Sequence, residues 1–575
     1  MAQTILKGDC TADEIAATFF ERKLAYSDRD TRLALNERFF EGDHWEIPLA
    51  AEDSTAFQLT FNYARAVVLK YAALLAKGPR IRINVTSKDP TLQGRASIRE
   101  KFLFGIWSDL MKAWRDVEMN ASKKGYGVLQ VLWDPGPDQP ASVEVGQGED
   151  KSTTQRYTAS PFRYRSIAPD KFYPVYRTFD TPDDFLYVFR YDPGRLIDDI
   201  EEKYGVVLQA TELEEGTEGT CDLIECWTAE YYHLIALTRV TQVTGRRGDQ
   251  IKVEKRYHTL LYKPHEYGRV PFFLLQNIRN PDSDPCEGGS LNDIDAVKFI
   301  NKHFNQIMSE EAEEIVSHIH PPIVYASDDH TQDPNKLEFK TGAVYPIGKD
   351  EELAALRWEG LPQTVDSYLD RVLGSIQDLS FIGQAGFGQY PSGATGVGLR
   401  LVLSSLEQIL ALKIPMRVDA FKSIIEHLFK CLERESKNAP LQMWIADKLQ
   451  RFGLVTVRST DINRDYFADV DYGNLLPRNE TEHQQNEVYK LKTGAQSLWT
   501  TLDNLGVDSP DDEIARIRQE NLDPELNPEK VAMVAQAKLA LQQSQAQPPQ
   551  PPVGGMPTAP VQREAPPTPQ GPMGA

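Results

Sequence analysis

The chain has 575 residues and carries 84 acidic against 63 basic side chains, a formal net charge of -21. That length exceeds one ordinary domain, so several connected parts are expected, and the acidic balance opposes any tight grip on nucleic acid through a broad basic surface. Five scattered cysteines fit a reducing cytoplasm better than a disulfide scaffold. The N-terminal MAQTILKGDCTADE has no basic region followed by an apolar stretch, and no window reaches the eighteen or so apolar residues of a membrane span; a soluble protein with no membrane association is expected.

In chain order, Thr11 is a candidate N-cap for a helix running to Gly42. Asn62 to Leu75 and Gly94 to Lys123 read as two further helices, the second rich in large apolar residues from Phe102 to Trp114. The period then changes to strands: YGVLQVLWDPGP (126 to 137), TASPFRYRSIAPDKFYPVY and DFLYVFRY, then, after a short helix at Pro193 to Tyr204, CDLIECWTAEYYHLIALTRV and KRYHTLLYKPHEYGRVPFFLLQN. From Leu291 the pattern predicts one helix of about 29 residues, roughly 43 Å long at 1.5 Å per residue, stopped by Pro321 and Pro322. A strand-rich insert follows (PPIVYA, KLEFKTGAVYPI, LAALRW), then a helix at 362 to 380, a glycine-rich loop, and a helical stretch from Gly396 to Lys437 with Pro415 inside it. Strands LVTVRST and YFADVDYG lead to polar helices at 478 to 492, 495 to 505, 510 to 520 and 528 to 546. Residues 547 to 575, with ten prolines, should be disordered. The fold class is α+β, mainly helical.

FIGQAGFGQYPSGATGVG (381 to 398) holds six glycines in eighteen residues. Glycine loops before helices often bind phosphate, but no Lys or Arg lies between Arg371 and Arg400, and the glycine spacing matches neither a P-loop nor a dinucleotide fingerprint. On residue type alone the loop is a mobile linker. In SEEAEEIVSH, Glu310, Glu311, Glu313 and Glu314 crowd near a helix end, where like charges at i, i+4 and the macrodipole both cost stability. Three readings stand: a solvated acidic face, carboxylates lining a pore, and a metal site of Glu314 with His318 and His320. The metal reading lacks the matching second motif of a di-iron site. His265, Glu266 and Tyr267 form a structural turn rather than an acid/base pair, and Cys221 and Cys226 are expected as buried structural thiols rather than a metal pair. No nucleophile or metalloprotease motif occurs, so neither catalysis, cofactor nor metal is expected.

The order helix, β insert, helix, glycine loop, long helix resembles that of the portal proteins of tailed double-stranded-DNA bacteriophages. ERFFEGDHW (37 to 45) resembles the segment after their first helix, KKGYGVLQVLWD the strand after their long wing helix, YKPHEYGRVPFFLLQN with EGGSLNDIDAVKFINK the run into their first stem helix, and DDEIARIRQENLDPELNP their helical crown. The likeness covers roughly residues 10 to 530.

The resemblance implies a portal fold with wing, stem, clip and crown, assembled as a cyclic ring of about twelve subunits around a central channel. Residues 1–289 would be the wing, 290–317 and 362–380 the stem helices, 318–361 the clip, 381–395 the tunnel loop, 396–475 the long wing helix and return strands, and 476–546 the crown. Gly383, Gln384, Gly386, Phe387, Gly388, Gln389 and Tyr390 would form an uncharged, pliable constriction around DNA. Glu310, Glu311, Glu313 and Glu314 would line the channel and repel phosphates. Pro321, Pro322 and Tyr325 would mark the docking surface for the terminase large subunit and the head-completion adaptor and tail proteins. The ring would also meet major capsid and scaffolding proteins at one vertex of the virion, and double-stranded DNA would pass without sequence specificity; an acidic protein suits passage, since it does not hold the polyanion. The rival readings are an α/β enzyme using residues 381–398 as an active-site lid, and another ring-forming adaptor of the virion.

Overall fold

The Thr11 hydroxyl accepts the Glu14 amide, and the Glu14 carboxylate takes the Thr11 amide in return at 2.8 Å. This capping box starts α1 (Ala12–Ala25), and α2 (Ser27–Glu41) follows it. The single helix expected from Thr11 to Gly42 is broken at Tyr26, which is fully buried and donates its hydroxyl to Asp284 (2.7 Å) while its ring lies under the guanidinium groups of Arg22 and Arg29. Tertiary anchoring overrides an unbroken helical period. Gly42, at φ +96°, ends α2.

The computed structural model describes residues 10–45, 57–83, 89–135, 141–145, 152–157, 160–179, 181–208, 217–244, 250–281, 283–319, 323–326, 352–355, 364–383, 396–446, 452–473, 475, 480–507, 510–523, 533 and 536. Among them, α3 (Tyr63–Leu75) starts at Asn62, whose side chain accepts the Arg65 amide, and β1 (Arg80–Arg82) follows. α4 (Pro90–Lys124) begins four residues before the expected Gly94, because Asp89 caps it with Pro90 in its first turn.

Strands β2 (Tyr126–Trp133), β3 (Ala141–Val145), β4 (Ser152–Tyr157), β5 (Phe162–Ile167), β6 (Phe172–Tyr176) and β7 (Phe185–Leu196) lead to α5 (Ile197–Tyr204). That helix starts later than the expected Pro193, because β7 keeps pairing past a bulge: Asp192 faces Leu223 and Arg195 faces Cys221. β8 (Thr217–Trp227), β9 (Tyr231–Thr244), β10 (Gln250–Pro264), β11 (Phe272–Gln276), β12 (Ile278–Arg279) and β13 (Ser290–Leu291) complete the first half. The second half holds α6 (Lys298–Ile319), β14 (Ile323–Ala326), β15 (Glu352–Ala355), α7 (Thr364–Leu379), α8 (Gly396–Glu435), β16 (Leu441–Ala446), β17 (Phe452–Val457), α9 (Ser459–Ile462) and β18 (Asp469–Asp471). The fold is mixed α+β. The sequence reading has no strand at β16, which pairs parallel with β4 and antiparallel with β17.

Three layers make the main body. The sheet β11-β2-β5 is central. One face, through Leu129, Val131, Phe273 and Leu275, packs on α4 and α8; the other, through Val128, Ile167, Phe272 and Leu274, meets the antiparallel sheet β10-β9-β8-β7-β6 and α1. Burial on both faces explains the nearly continuous apolar run of β2. Cys226 belongs to that second cluster and Cys221 to a separate one with Ile197, Leu234 and Leu260. Burial pushes the Cys221 thiol up to about 11 and the Cys226 thiol up further.

The chain divides into two units, Met1–Leu476 and Pro477–Ala575. The second contains α10 (Glu480–Lys492), α11 (Leu498–Asn504) and α12 (Pro510–Leu522). Its buried Glu487 carboxylate accepts hydrogen bonds from Lys490, Gln496 and Asn504. The proline-rich tail 547–575, and nearly all of the helix expected at 528 to 546, lie outside the described residues.

Candidate functional site

The expected helix from Leu291 begins only at Lys298. Asn292 turns its side-chain oxygen onto the Ile294 (3.0 Å) and Asp295 (2.7 Å) amides, which holds the preceding residues in a turn. Its 22 residues span roughly 33 Å.

Along one face of α6, polar side chains recur every four residues: Asn301 binds the first turn of α3, and Asn305, Ser309 and Glu313 bind the strap of extended chain that precedes it. Asn301 Oδ1 accepts the Ala64 amide (3.1 Å), Asn305 Oδ1 that of Phe61 (3.0 Å), Ser309 Oγ that of Leu59 (3.0 Å) and Glu313 Oε1 that of Phe57 (3.0 Å). The match is metric: four helical residues rise about 6.0 Å, two extended residues about 6.6 Å. Asn305 also donates to His44 Nδ1 (2.7 Å), while His44 Nε2 donates to the Phe39 carbonyl (3.0 Å). Burial lowers the pKa of this imidazole, which must stay neutral at Nδ1 to accept the amide. The EGDHW motif thus seats α2 and the strap on α6, with the Trp45 indole donating to Thr60 (3.1 Å).

The opposite side of α6 forms an open groove with α7, about 580 Å³ in volume, lined by His303, Ile307, Glu310, Glu311, Glu314, Thr364, Val365 and Tyr368. Three of the four glutamates meet there, and His303 bonds the Tyr368 hydroxyl across it (3.0 Å). Glu313 points instead to the strap. His320 and the side chain of His318 lie outside the described residues; among the described residues no group of His, Cys, Asp and Glu is arranged to hold a metal.

Beneath the groove, Phe304, Val372 and Ile376 pack with Phe39, Ala64 and Val68, fixing both helices to α2 and α3. β14 and β15 pair antiparallel, Tyr325 opposite Leu353; Pro321 and Pro322 lie outside the described residues, as does KLEFKTGAVYPI (336 to 347).

The glycine-rich loop leaves α7 through a fixed root. Phe381 takes the left-handed conformation at φ +58°, unusual for an aromatic residue, and Gly383 follows at φ +65°. Ile382 is buried with Tyr71, Leu406 and Leu410. The Tyr71 hydroxyl donates to the Ser380 carbonyl (2.6 Å) and Ser405 Oγ to the Phe381 carbonyl (3.3 Å). Gln384, Gly386, Phe387, Gly388, Gln389 and Tyr390 lie outside the described residues.

Sequence reasoning missed a buried charge network next to this root. Lys413 and Arg417 flank Pro415 on α8, and both side chains are fully buried. Lys413 Nζ bonds both oxygens of Asp293 (2.6 and 2.8 Å) and lies 3.6 Å from the Tyr71 ring centre. Arg417 bonds Glu118, the Asn277 carbonyl and side chain, and the carbonyl of Lys413 itself. Ser122 and Asn277 also donate to Asp293, and Trp114 to Glu118. The available signal was two cations four apart on the apolar face of a helix, where burial demands partners.

The sequence profile for phage portal proteins of the SPP1 Gp6-like family matches residues 143–523, more than half of the chain. The chain belongs to the phage portal proteins. A comparison with curated proteins gave no significant match. Portal proteins are structural components rather than enzymes, ring oligomers that associate with the capsid and packaging motor and serve as the conduit for DNA packaging. In this portal protein, the His265–Tyr267 turn is packed structure: Tyr267 accepts the Trp133 amide (3.0 Å), and the His265 ring packs at a tilt against Trp227 and Tyr267. Among the described residues, no helix is long and apolar enough to cross a membrane.

Proposed function

We propose that this portal protein forms a ring of about twelve subunits at one capsid vertex, with α6 and α7 as the stem and residues 381–395 projecting into the channel. The observation that carries this reading is the loop root. A glycine-rich, uncharged segment is anchored at Ser380, Phe381 and Ile382 by contacts from α3 and α8, which fixes where it starts while its composition leaves the remainder pliable.

Glu310, Glu311 and Glu314 present negative charge on the α6–α7 surface, where each repeats once per subunit around the ring. Screening over about 8 to 10 Å at physiological salt confines their repulsion to the channel wall. Such a wall keeps DNA centred and sliding. Glu313 is better assigned to holding the strap than to the wall, given its bond from the Phe57 amide.

Residues 318–361, with Pro321, Pro322 and Tyr325, are the proposed clip, docking first the terminase large subunit, whose ATP hydrolysis drives packaging, and later the head-completion adaptor and tail proteins. Residues 1–289 and 396–475 form the wing that meets capsid and scaffolding proteins, and 476–546 the crown. Deleting Gly383 to Gly393 tests the assignment of the loop: rings of unchanged mass that package or retain less DNA support it, and loss of ring assembly makes the loop structural.

A further inference from the structure

We propose that Lys413 is a positioning residue for the DNA-facing loop, coupling the loop root to the base of the first stem helix. The DNA-facing role rests on the portal reading above; the coupling itself rests on contacts within one subunit. Lys413 is the shared member of two sets of contacts. On one side its ammonium sits over the Tyr71 ring at 3.6 Å, and the Tyr71 hydroxyl holds the Ser380 carbonyl at 2.6 Å, one residue before the left-handed Phe381. On the other side it grips Asp293, five residues before α6 starts, together with Ser122 of α4 and Asn277.

The location on α8 adds leverage. Pro415 cannot donate to the carbonyl four residues back, which makes this the weak point of a 40-residue helix. The Arg417 side chain ties the following turn down, bonding the Lys413 carbonyl at 2.9 Å while pairing with Glu118 of α4. The helix carrying the far end of the glycine loop is therefore held at its weak point to the same network that holds the loop's near end. Lys413 therefore cannot shift without leaving both Asp293 at the stem base and the ring of Tyr71, whose hydroxyl holds the loop root.

The test is hydrogen exchange of the full-length ring at pH 7, read on peptides covering residues 377 to 383 and 404 to 412, for wild type, Lys413→Met, Tyr71→Phe and the double variant. Both single variants should raise exchange at Ser380 to Gly383 by about tenfold, the factor that one net hydrogen bond's worth gives, with β11 and the first two-thirds of α4 unchanged. The double variant should exceed neither single by more than about twofold, because both act through one path. Wild-type exchange at the root in Lys413→Met, fully additive effects, or a rise spread over the whole first unit would overturn the proposal. Should Lys413→Met fail to fold, Tyr71→Phe decides, since it removes only the hydroxyl, and unchanged root exchange there overturns it. Ring mass is recorded on the same samples: rings lost from wild type would refute the portal assembly and leave the exchange result to judge the coupling.

Discussion

Arg417 and Glu118 are both completely buried, and the guanidinium spans the carboxylate, with Nε 3.2 Å from each oxygen and Nη2 2.9 Å from Oε2. Desolvating both charges is tolerable because Trp114, Asn277 and the Lys413 carbonyl satisfy what remains. Arg417→Met strands the carboxylate and should cost about 3 to 5 kcal/mol in unfolding free energy, whereas Arg417→Met with Glu118→Met should recover a substantial part. Denaturant titration of the two variants distinguishes them; equal destabilisation would mean the pair itself, rather than the uncompensated charge, supplies the stability.

Gly127 cannot carry a side chain. A Cβ there would stand 2.1 Å from the Val117 carbonyl oxygen, a backbone atom of α4 that cannot rotate away. Gly127→Ala should therefore prise β2 from α4 and cost about 4 kcal/mol or more; accumulation of insoluble protein, or a thermal midpoint many degrees lower, is the expected result. Gly194→Ala, where nothing approaches within 4 Å but φ is +70°, should cost only about 1 kcal/mol.

Much of the architecture was legible because the signals are local. Thr11, Asn62 and Gly42 mark helix ends by side-chain type, and the element order around the glycine loop follows from period changes in the sequence. What was hidden depends on contacts distant in the chain. The break at Tyr26 is set by Asp284, and the late start of α6 by an Asx turn inside a run that looks helical. Of the four glutamates clustered in the sequence, Glu310, Glu311 and Glu314 line one groove, while Glu313 accepts an amide from a strap some 250 residues earlier. Its spacing sets it apart, because Glu313 continues the four-residue repeat of Asn301, Asn305 and Ser309. The polar stripe Asn301, Asn305, Ser309 was readable as a pattern; its meaning came only with the strap beside it.

His427 gives a pH dependence of defined sign. It is buried under Tyr267 and Phe273 and bonds the Val131 carbonyl, and desolvation holds its pKa down to about 3. The unfolded chain takes up this proton near 6.5, the folded chain near 3, so stability is lost as pH falls through that interval, by up to about 1.4 kcal/mol per unit. His44 shifts in the same direction. Denaturation midpoints measured between pH 7 and 4 should fall steadily in wild type and less steeply in His427→Gln; parallel slopes would remove His427 from the explanation.

Charge reversal at the groove addresses DNA passage. Replacing Glu310, Glu311 and Glu314 with Lys, and leaving Glu313 to hold the strap, converts repulsion of phosphates into attraction at every subunit. Packaging should slow and become more salt-dependent, as each added phosphate contact steepens the salt response. Single-particle packaging rates at two ionic strengths provide the check, and unchanged rates would take these carboxylates off the channel wall.

The most direct test of the account is the mass and symmetry of the purified full-length protein, by native mass spectrometry with electron microscopy of the same sample. The account predicts closed rings of about twelve subunits with a central hole lined by α6 and α7. A compact dimer, or a ring whose hole is lined by the five-stranded sheet instead, would contradict it.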